Sequence, residues 1–221
     1  MTDQEIEIVT FVDPIFAQNT RLIISQGDDL CWVIDPGLAP ATADLLKHIG
    51  ASNLSPEAVV LTHAHADHIA GLSQVLNAHD ALPVYLANIE WSFLEDPSQN
   101  LSTMTGMELR VSTPGLRDLA ADQVLELGST QWQVLDTSGH SPGGRTLYCS
   151  QTQTAIVGDA LFAGSIGRVD FPHSDGSRLL SNIREKLFTL PGATRVCSGH
   201  GPDTTIEIER TTNPFFINDS R

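Results

Sequence analysis

The stretch Thr62-His63-Ala64-His65-Ala66-Asp67-His68 constrains this chain more than any other. It places three imidazoles and a carboxylate within six residues, directly after the apolar run Ala58–Leu61. In an extended segment, positions i and i+2 share a face, so His63 and His65 converge on one point. Asp67 and His68 fall where the backbone bends into a helix, and they can face a second point beside the first. The small alanines leave room for ions and water. Imidazole and carboxylate suit zinc, iron or manganese. A solvated loop rich in histidine is the alternative, but four donor side chains packed at one strand end rarely arise by chance.

Three other strand ends carry donors in glycine-rich settings. Ser138-Gly139-His140-Ser141-Pro142-Gly143-Gly144 follows the apolar run Gln131–Leu135. Gly158-Asp159 follows Ala155–Val157, and Ser198-Gly199-His200-Gly201-Pro202 follows Arg195–Cys197. Glycine lets the backbone turn sharply beside a ligand. Each stretch alone reads as an ordinary turn or loop. Together they add two imidazoles and one carboxylate. A natural division gives His63, His65 and His140 to one divalent ion and Asp67, His68 and His200 to another, with Asp159 bridging. Two ions about 3.5–4 Å apart would share a water of lowered pKa and clamp the attacking and leaving oxygens.

Other chemistry finds little support. No Gly-x-Ser-x-Gly elbow, GxGxxG or P-loop pattern is present. Cys31, Cys149 and Cys197 are widely spaced and lie in or at the ends of apolar runs, so they read as reduced core thiols. His48, late in a helix, suits the helix dipole, and His79 reads as a surface residue. Arg168 lies nine residues beyond Asp159 and is one of ten arginines in a chain with two lysines. Its guanidinium either grips a substrate carboxylate bidentately or pairs with Asp170. His173, in the loop after Gly167–Pro172, is a second candidate substrate contact.

The remaining sequence alternates short strands with a few helices. Strands are expected at Glu5–Phe11, Arg21–Ser25, Leu30–Ile34, Ala58–Leu61 and Pro83–Leu86. A second set is expected at Gln123–Leu127, Gln131–Leu135, Thr146–Cys149, Ala155–Val157 and Arg195–Cys197. Helices are expected at Ala41–Ile49, Asp67–Leu76, Arg178–Leu190 and Thr204–Arg210, with a loop over Asp96–Met107. The pattern fits an α/β layered domain with sheets in the middle and helices outside. One domain over residues 1–221 is expected, in two pseudo-symmetric halves of roughly 1–115 and 116–221. The 27 acidic residues outnumber the 12 basic ones, for a net charge of −15. That surplus argues against binding nucleic acid or an anionic membrane face. With no long apolar run and no secretory leader pattern, the expected location is the cytoplasm, as a monomer or small homo-oligomer.

The assembled motifs resemble the metallo-β-lactamase superfamily. They are VIDPG (Val33–Gly37), THAHADH (Thr62–His68), TSGHSPGG (Thr137–Gly144), GDALF (Gly158–Phe162) and SGHGPDTT (Ser198–Thr205). Within it, GDALFAGSIGRVDFP (Gly158–Pro172) and the tail Glu209–Phe216 are similar to short bacterial members of the glyoxalase II-like, hydroxyacylglutathione hydrolase group. The resemblance implies a four-layer αββα sandwich with the metals at one edge, between the sheets. It implies the seven ligands as divided above, with Asp67 and Asp159 also catalytic and Asp35 a support beneath the site. The implied reaction is hydrolysis of a thioester such as S-lactoylglutathione by a metal-bridging hydroxide, with two divalent ions, zinc first and iron or manganese as alternatives. The same motifs also resemble persulfide dioxygenases, in which one iron would be held by His63, His65, His140 and Asp159. A lactone hydrolase and a non-enzymatic metal-bound scaffold complete the competing readings.

Overall fold

The computed structural model describes residues 6–217. The first half of the chain builds one six-stranded sheet, β1 (Ile6–Val12), β2 (Asn19–Ser25), β3 (Leu30–Ile34), β4 (Ser55–Val60), β5 (Val84–Leu86) and β6 (Leu116–Asp118), in sequential order. The first three strands are antiparallel, and β3 to β6 run parallel. The second half builds β7 (Val124–Leu127), β8 (Thr130–Asp136), β9 (Arg145–Cys149), β10 (Thr154–Gly158), β13 (Arg195–Ser198) and β14 (Thr204–Thr205), ordered β14-β13-β10-β9-β8-β7. A small hairpin, β11 (Leu161–Phe162) with β12 (Ser165–Ile166), lies between β10 and β13 in the chain. The helices are α1 (Ala41–Ala51), α2 (Ala66–Ile69), α3 (Leu72–Ala78), α4 (Gly176–Asn182) and α5 (Ile206–Thr212).

Period-two alternation along each strand sorts side chains into three apolar layers. Leu22, Val33 and Val59 pack outward against Leu45 and Ile49 of α1 and Leu72 and Val75 of α3. Their neighbours Ile23, Trp32, Ile34 and Val60 face the second sheet and meet Trp132, Val134, Leu147 and Ile156. Trp32 and Trp132 touch across this middle layer with ring centroids 6.1 Å apart. Tyr148, Ala155, Val157 and Val196 turn to the far side, against Leu179 of α4 and Ile206 of α5. The result is the four-layer αββα sandwich expected from the sequence. Each fully buried large side chain contributes about 1.5–3 kcal/mol to this packing.

Sheet direction puts the site at one edge. β3 and β4 are parallel, so Asp35 and Thr62 emerge side by side; Thr62 donates its backbone N–H to Asp35 Oδ1 at 2.7 Å. β10 and β13 are parallel, and β8 is antiparallel to β9, which is antiparallel to β10. The ends of β8, β10 and β13 therefore also emerge together, carrying His140, Asp159 and His200. The Arg145 amide donates to the Thr62 carbonyl at 2.9 Å and the Asn19 amide to the Gly199 carbonyl at 2.7 Å, joining the two edges.

Several elements differ from the sequence reading. Of the strand predicted from Glu5 to Phe11, β1 covers the described part and runs on to Val12, while Glu5 lies outside the described residues. The helix expected over Asp67–Leu76 is two helices broken at Ala70-Gly71. The Gly71 amide donates to the Pro36 carbonyl at 2.8 Å, and a Cβ there would collide with Thr42 and the Gly37 carbonyl. The close approach of the Asp35-Pro36-Gly37 turn therefore interrupts the helical periodicity. The helix expected over Arg178–Leu190 begins as α4 and passes into a π turn at Ile183–Leu187. Two 3₁₀ segments, Asn88–Leu94 and Ser102–Thr105, occupy a region with no strong period. β6, at Leu116–Asp118, pairs with β5 and closes the first sheet with a strand the sequence reading did not include.

Candidate metal centre

All seven sequence-predicted donors meet at this edge. Their donor atoms form three overlapping groups, His63/His65/His140, His63/His68/Asp159 and Asp67/His68/His200, with the atoms of each group within 4.8 Å of one another. The Asp159 carboxylate lies between the two histidine sets. Its Oδ1 is 3.4 Å from His68 Nε2, and its Oδ2 is 3.5 Å from both His140 Nε2 and His200 Nε2. Gly199 keeps the floor open, because a Cβ there would collide with Asp159 Oδ1 and His68 Cε1.

The outward nitrogens of the rings set the tautomers. His68 Nδ1 lies 3.0 Å from Asp35 Oδ2, His140 Nδ1 2.8 Å from the Arg168 carbonyl, and His200 Nδ1 3.0 Å from the Phe16 carbonyl. All three partners are acceptors, so each Nδ1 donates a proton and each ring directs its Nε2 inward. His63 Nδ1 lies 3.1 Å from Thr62 Oγ1, whose own proton goes to Asp35 Oδ2 at 2.7 Å, so it too donates. Asp35 thus anchors both histidine sets from beneath.

The interior is consequently crowded with imidazole nitrogens and carboxylate oxygens. His68 Nε2 and His200 Nε2 face each other at 3.3 Å, and His65 Nδ1 faces His140 Nε2 at 2.9 Å. His63 Nε2 and Asp159 Oδ1 are buried without a hydrogen-bond partner. One proton at most fits between each facing nitrogen pair, and the two orphaned atoms have none, so shared cations satisfy this cluster better than protons do. The separations are near the ~3.3 Å edge of a tetrahedron with metal–nitrogen bonds of about 2.0–2.1 Å. The donor set therefore fits two divalent ions.

Burial and charge treat the two sets differently. Burial pushes His65 down to about 3 and holds His63 well below the ordinary imidazole value. Burial also opposes charge on His68, but Asp159, Asp67 and Asp35 outweigh it and raise its proton affinity well above the ordinary value. His200 is raised in the same way, burial being outweighed by Asp67 and Asp159. Both carboxylates are held below their usual range despite desolvation, chiefly by His68.

Protons and metal compete for imidazole nitrogen, so these directions order metal release. Protons favour His68 and His200 above the ordinary imidazole pKa and His63 and His65 only far below it. Acidification from about pH 8 to about pH 5 should empty the Asp67/His68/His200 set first. Equilibrium dialysis with metal analysis should show two ions per chain falling to one before zero. A His65→Ala variant should lack the equivalent that persists. Simultaneous loss of both ions would contradict this order.

Sequence reasoning missed several supports. Glu90, fully buried in the first 3₁₀ segment, accepts from the Ala64 amide at 2.7 Å and the Gly143 amide at 2.6 Å. It ties the loop of His63 and His65 to the loop of His140. Its one sequence signal is a lone acid in the apolar run Asn88–Leu94. Arg21, buried within β2, donates to the Ser198 carbonyl at 2.9 Å and pairs with Asp203 at 2.7 Å, bracing the loop of His200.

A cavity of about 430 Å³ opens onto the cluster, lined by His65, Asp67, His140, Asp159 and His200 and by several apolar side chains. Arg168 lines it, but its guanidinium already holds Asp170 through two hydrogen bonds, at 2.9 and 2.8 Å. The pairing alternative from the sequence is the one the structure adopts. His173 is absent from the described cavity wall, and its ring packs beside Phe93 at 5.9 Å. The loop bends it away, with His173 at φ +68°.

Among the described residues, no helix is long and apolar enough to cross a membrane. The family model of the metallo-beta-lactamase superfamily matches residues 14–200. The chain is 41% identical over 206 residues to the probable metallo-hydrolase YqgX of Bacillus subtilis, covering 93% of this chain and 94% of that protein. It is 31% identical over 202 residues to the hydroxyacylglutathione hydrolase GloC of Haemophilus influenzae, covering 91% and 93%. The crystal structure of the BLEG-1 B3 metallo-beta-lactamase superposes with a TM-score of 0.89 at 34% identity, over 96% of this chain and all of that one. TTHA1623 in a di-iron-bound form superposes at 0.82 and 33% identity, over 94% and 100%. Motifs, layer order and these likenesses agree: the chain belongs to the metallo-beta-lactamase superfamily.

Proposed function

We propose that this protein is a metal-dependent hydrolase of acyl thioesters. His63, His65 and His140 would hold one divalent ion and Asp67, His68 and His200 a second, with Asp159 reaching both. The observation that carries the reading is the inward convergence of seven donor side chains, among which the buried His63 Nε2 and Asp159 Oδ1 have no hydrogen-bond partner. The completeness of the second set favours two ions over a single iron. Zinc is the first choice for this donor set, and iron, as in the di-iron form of TTHA1623, the next.

Bound ions supply Lewis acidity and a water acidic enough to attack at neutral pH. Asp67 and Asp159 line the cavity and stay ionised, so either is able to accept a proton from an incoming water. The described cavity wall contains no serine or cysteine. All three cysteines are buried, with Cys31 pushed up to about 12 and Cys197 to about 11 by burial. A solvent nucleophile therefore replaces a protein one. The likeness to GloC supports a thioester as the bond cleaved.

The test is elemental analysis of the purified protein combined with a substrate panel: a lactoyl thioester, a glutathione persulfide with oxygen uptake, a lactone and a β-lactam. Two ions per chain with fastest cleavage of the thioester is the expected result. One tightly bound iron with oxygen uptake on the persulfide would overturn it.

A further inference from the structure

The cavity wall beyond the metal donors is largely apolar, and its few polar side chains already hold neighbours. Phe16, Leu101, Met104, Phe162 and Phe171 form most of it. Phe171 packs edge-on against His65 and His140, with centroids 5.7 and 6.0 Å away, and Phe162 stands 6.1 Å from His200. Apolar surface thus begins directly beside the donors. Met104 is 63% exposed at the cavity wall and extends that surface outward.

Apart from the donors, the polar side chains of the described wall are Asn100, Thr105 and Arg168. The Asn100 amide donates to the Phe93 and Leu109 carbonyls, and its oxygen accepts from the Ser102 amide. Thr105 Oγ1 donates to the Ser102 carbonyl at 2.8 Å. The Arg168 guanidinium is committed to Asp170 and also lies 4.2 Å above the Phe171 ring. A glutathione body brings two carboxylates and an ammonium. To grip either carboxylate through the Nε–Nη2 face, Arg168 would have to release Asp170, leaving that acid beside the substrate. Substrate carboxylates ordinarily call for a free bidentate cation, and the one cation of this described wall has its Nε–Nη2 face on Asp170, leaving only Nη1 open beside an acid.

Building on the thioesterase reading, we infer that the cavity selects thioesters with an uncharged, largely apolar body and discriminates against the charged tripeptide thiol. Apolar walls reward buried carbon and give no return for carboxylates stripped of water. Phe171 is the specificity-determining residue, because it joins the donors to the apolar wall and carries Arg168 on its face.

Two matched pairs test this. The first compares binding of two thioethers that cannot be hydrolysed, S-benzyl-N-acetylcysteamine and S-benzylglutathione, to the metal-loaded protein by calorimetry. The second compares turnover of the lactoyl thioesters of the same two thiols. The neutral member should bind, and be cleaved with a kcat/KM, at least roughly tenfold better, with the difference in KM. Phe171→Ala should raise KM for the neutral ester and narrow the gap. Equal or better binding of S-benzylglutathione, failure of both thioethers to bind, or a KM for the glutathione ester that rises in Arg168→Ala would overturn the inference. Tight binding of the neutral thioether without turnover of either ester would leave the inference standing and refute the thioesterase reading.

Discussion

Replacing Asp159 by alanine should lower kcat/KM on the proposed thioester substrate by roughly 10³–10⁴-fold, the scale of several kcal/mol of lost charge stabilisation. Asp159 is placed by the end of β10, where Gly158 turns the chain with φ +53°. Its two oxygens approach His68 on one side and His140 and His200 on the other. No other described carboxylate spans the two histidine sets in this way. Metal content should fall below two ions per chain. The rise in Tm that metal confers on the wild type should shrink accordingly, since binding stabilises the folded state by mass action. Elemental analysis and melting curves with and without chelator measure both effects. A variant that keeps two ions and the wild-type rate would remove Asp159 from the centre.

Glu90→Ala should produce the largest loss of stability among the supports. It strands the buried amides of Ala64 and Gly143, and each unsatisfied donor costs about 1–3 kcal/mol. The sum, about 2–6 kcal/mol, lowers Tm by roughly 5–20 °C in a chain of this size. Glu90→Gln keeps the shape and one acceptor, so it should fall between. The same change loosens the spacing of His63 and His65 relative to His140. Metal affinity should therefore weaken selectively at that set, by about 10–100-fold, as for other outer supports of a metal centre. Denaturant unfolding and competitive chelator titration separate the two effects. A Gln variant with reduced stability but unchanged affinity at both sets would make Glu90 a purely structural residue.

Much of the metal centre was legible in the sequence because its donors sit in short motifs at strand ends. Two donors two residues apart on extended chain share a face whatever the rest of the fold does, which is how His63 and His65 declared themselves. His140, Asp159 and His200 were marked by flanking glycines. Glu90, Arg21 and the carbonyls of Phe16 and Arg168 were not legible. Their partners lie far off in the chain, and a carbonyl leaves no trace in residue type. The break at Gly71 was hidden for the same reason, since the turn that crowds it belongs to a different element.

Arg168 and His173 show the limit most plainly. Both stand in the loop after the Asp159 segment, and residue type alone allowed each a substrate contact. Packing turned the His173 ring to Phe93 and gave the Arg168 guanidinium to Asp170. Residue types and their local spacing determined the donors, the layer pattern and the class of chemistry, because ligand preference and strand alternation act over a few residues. The tertiary structure alone decided which ring nitrogen faces inward, what braces the loops and how apolar the cavity is, because each depends on groups that meet only once the two sheets close on each other.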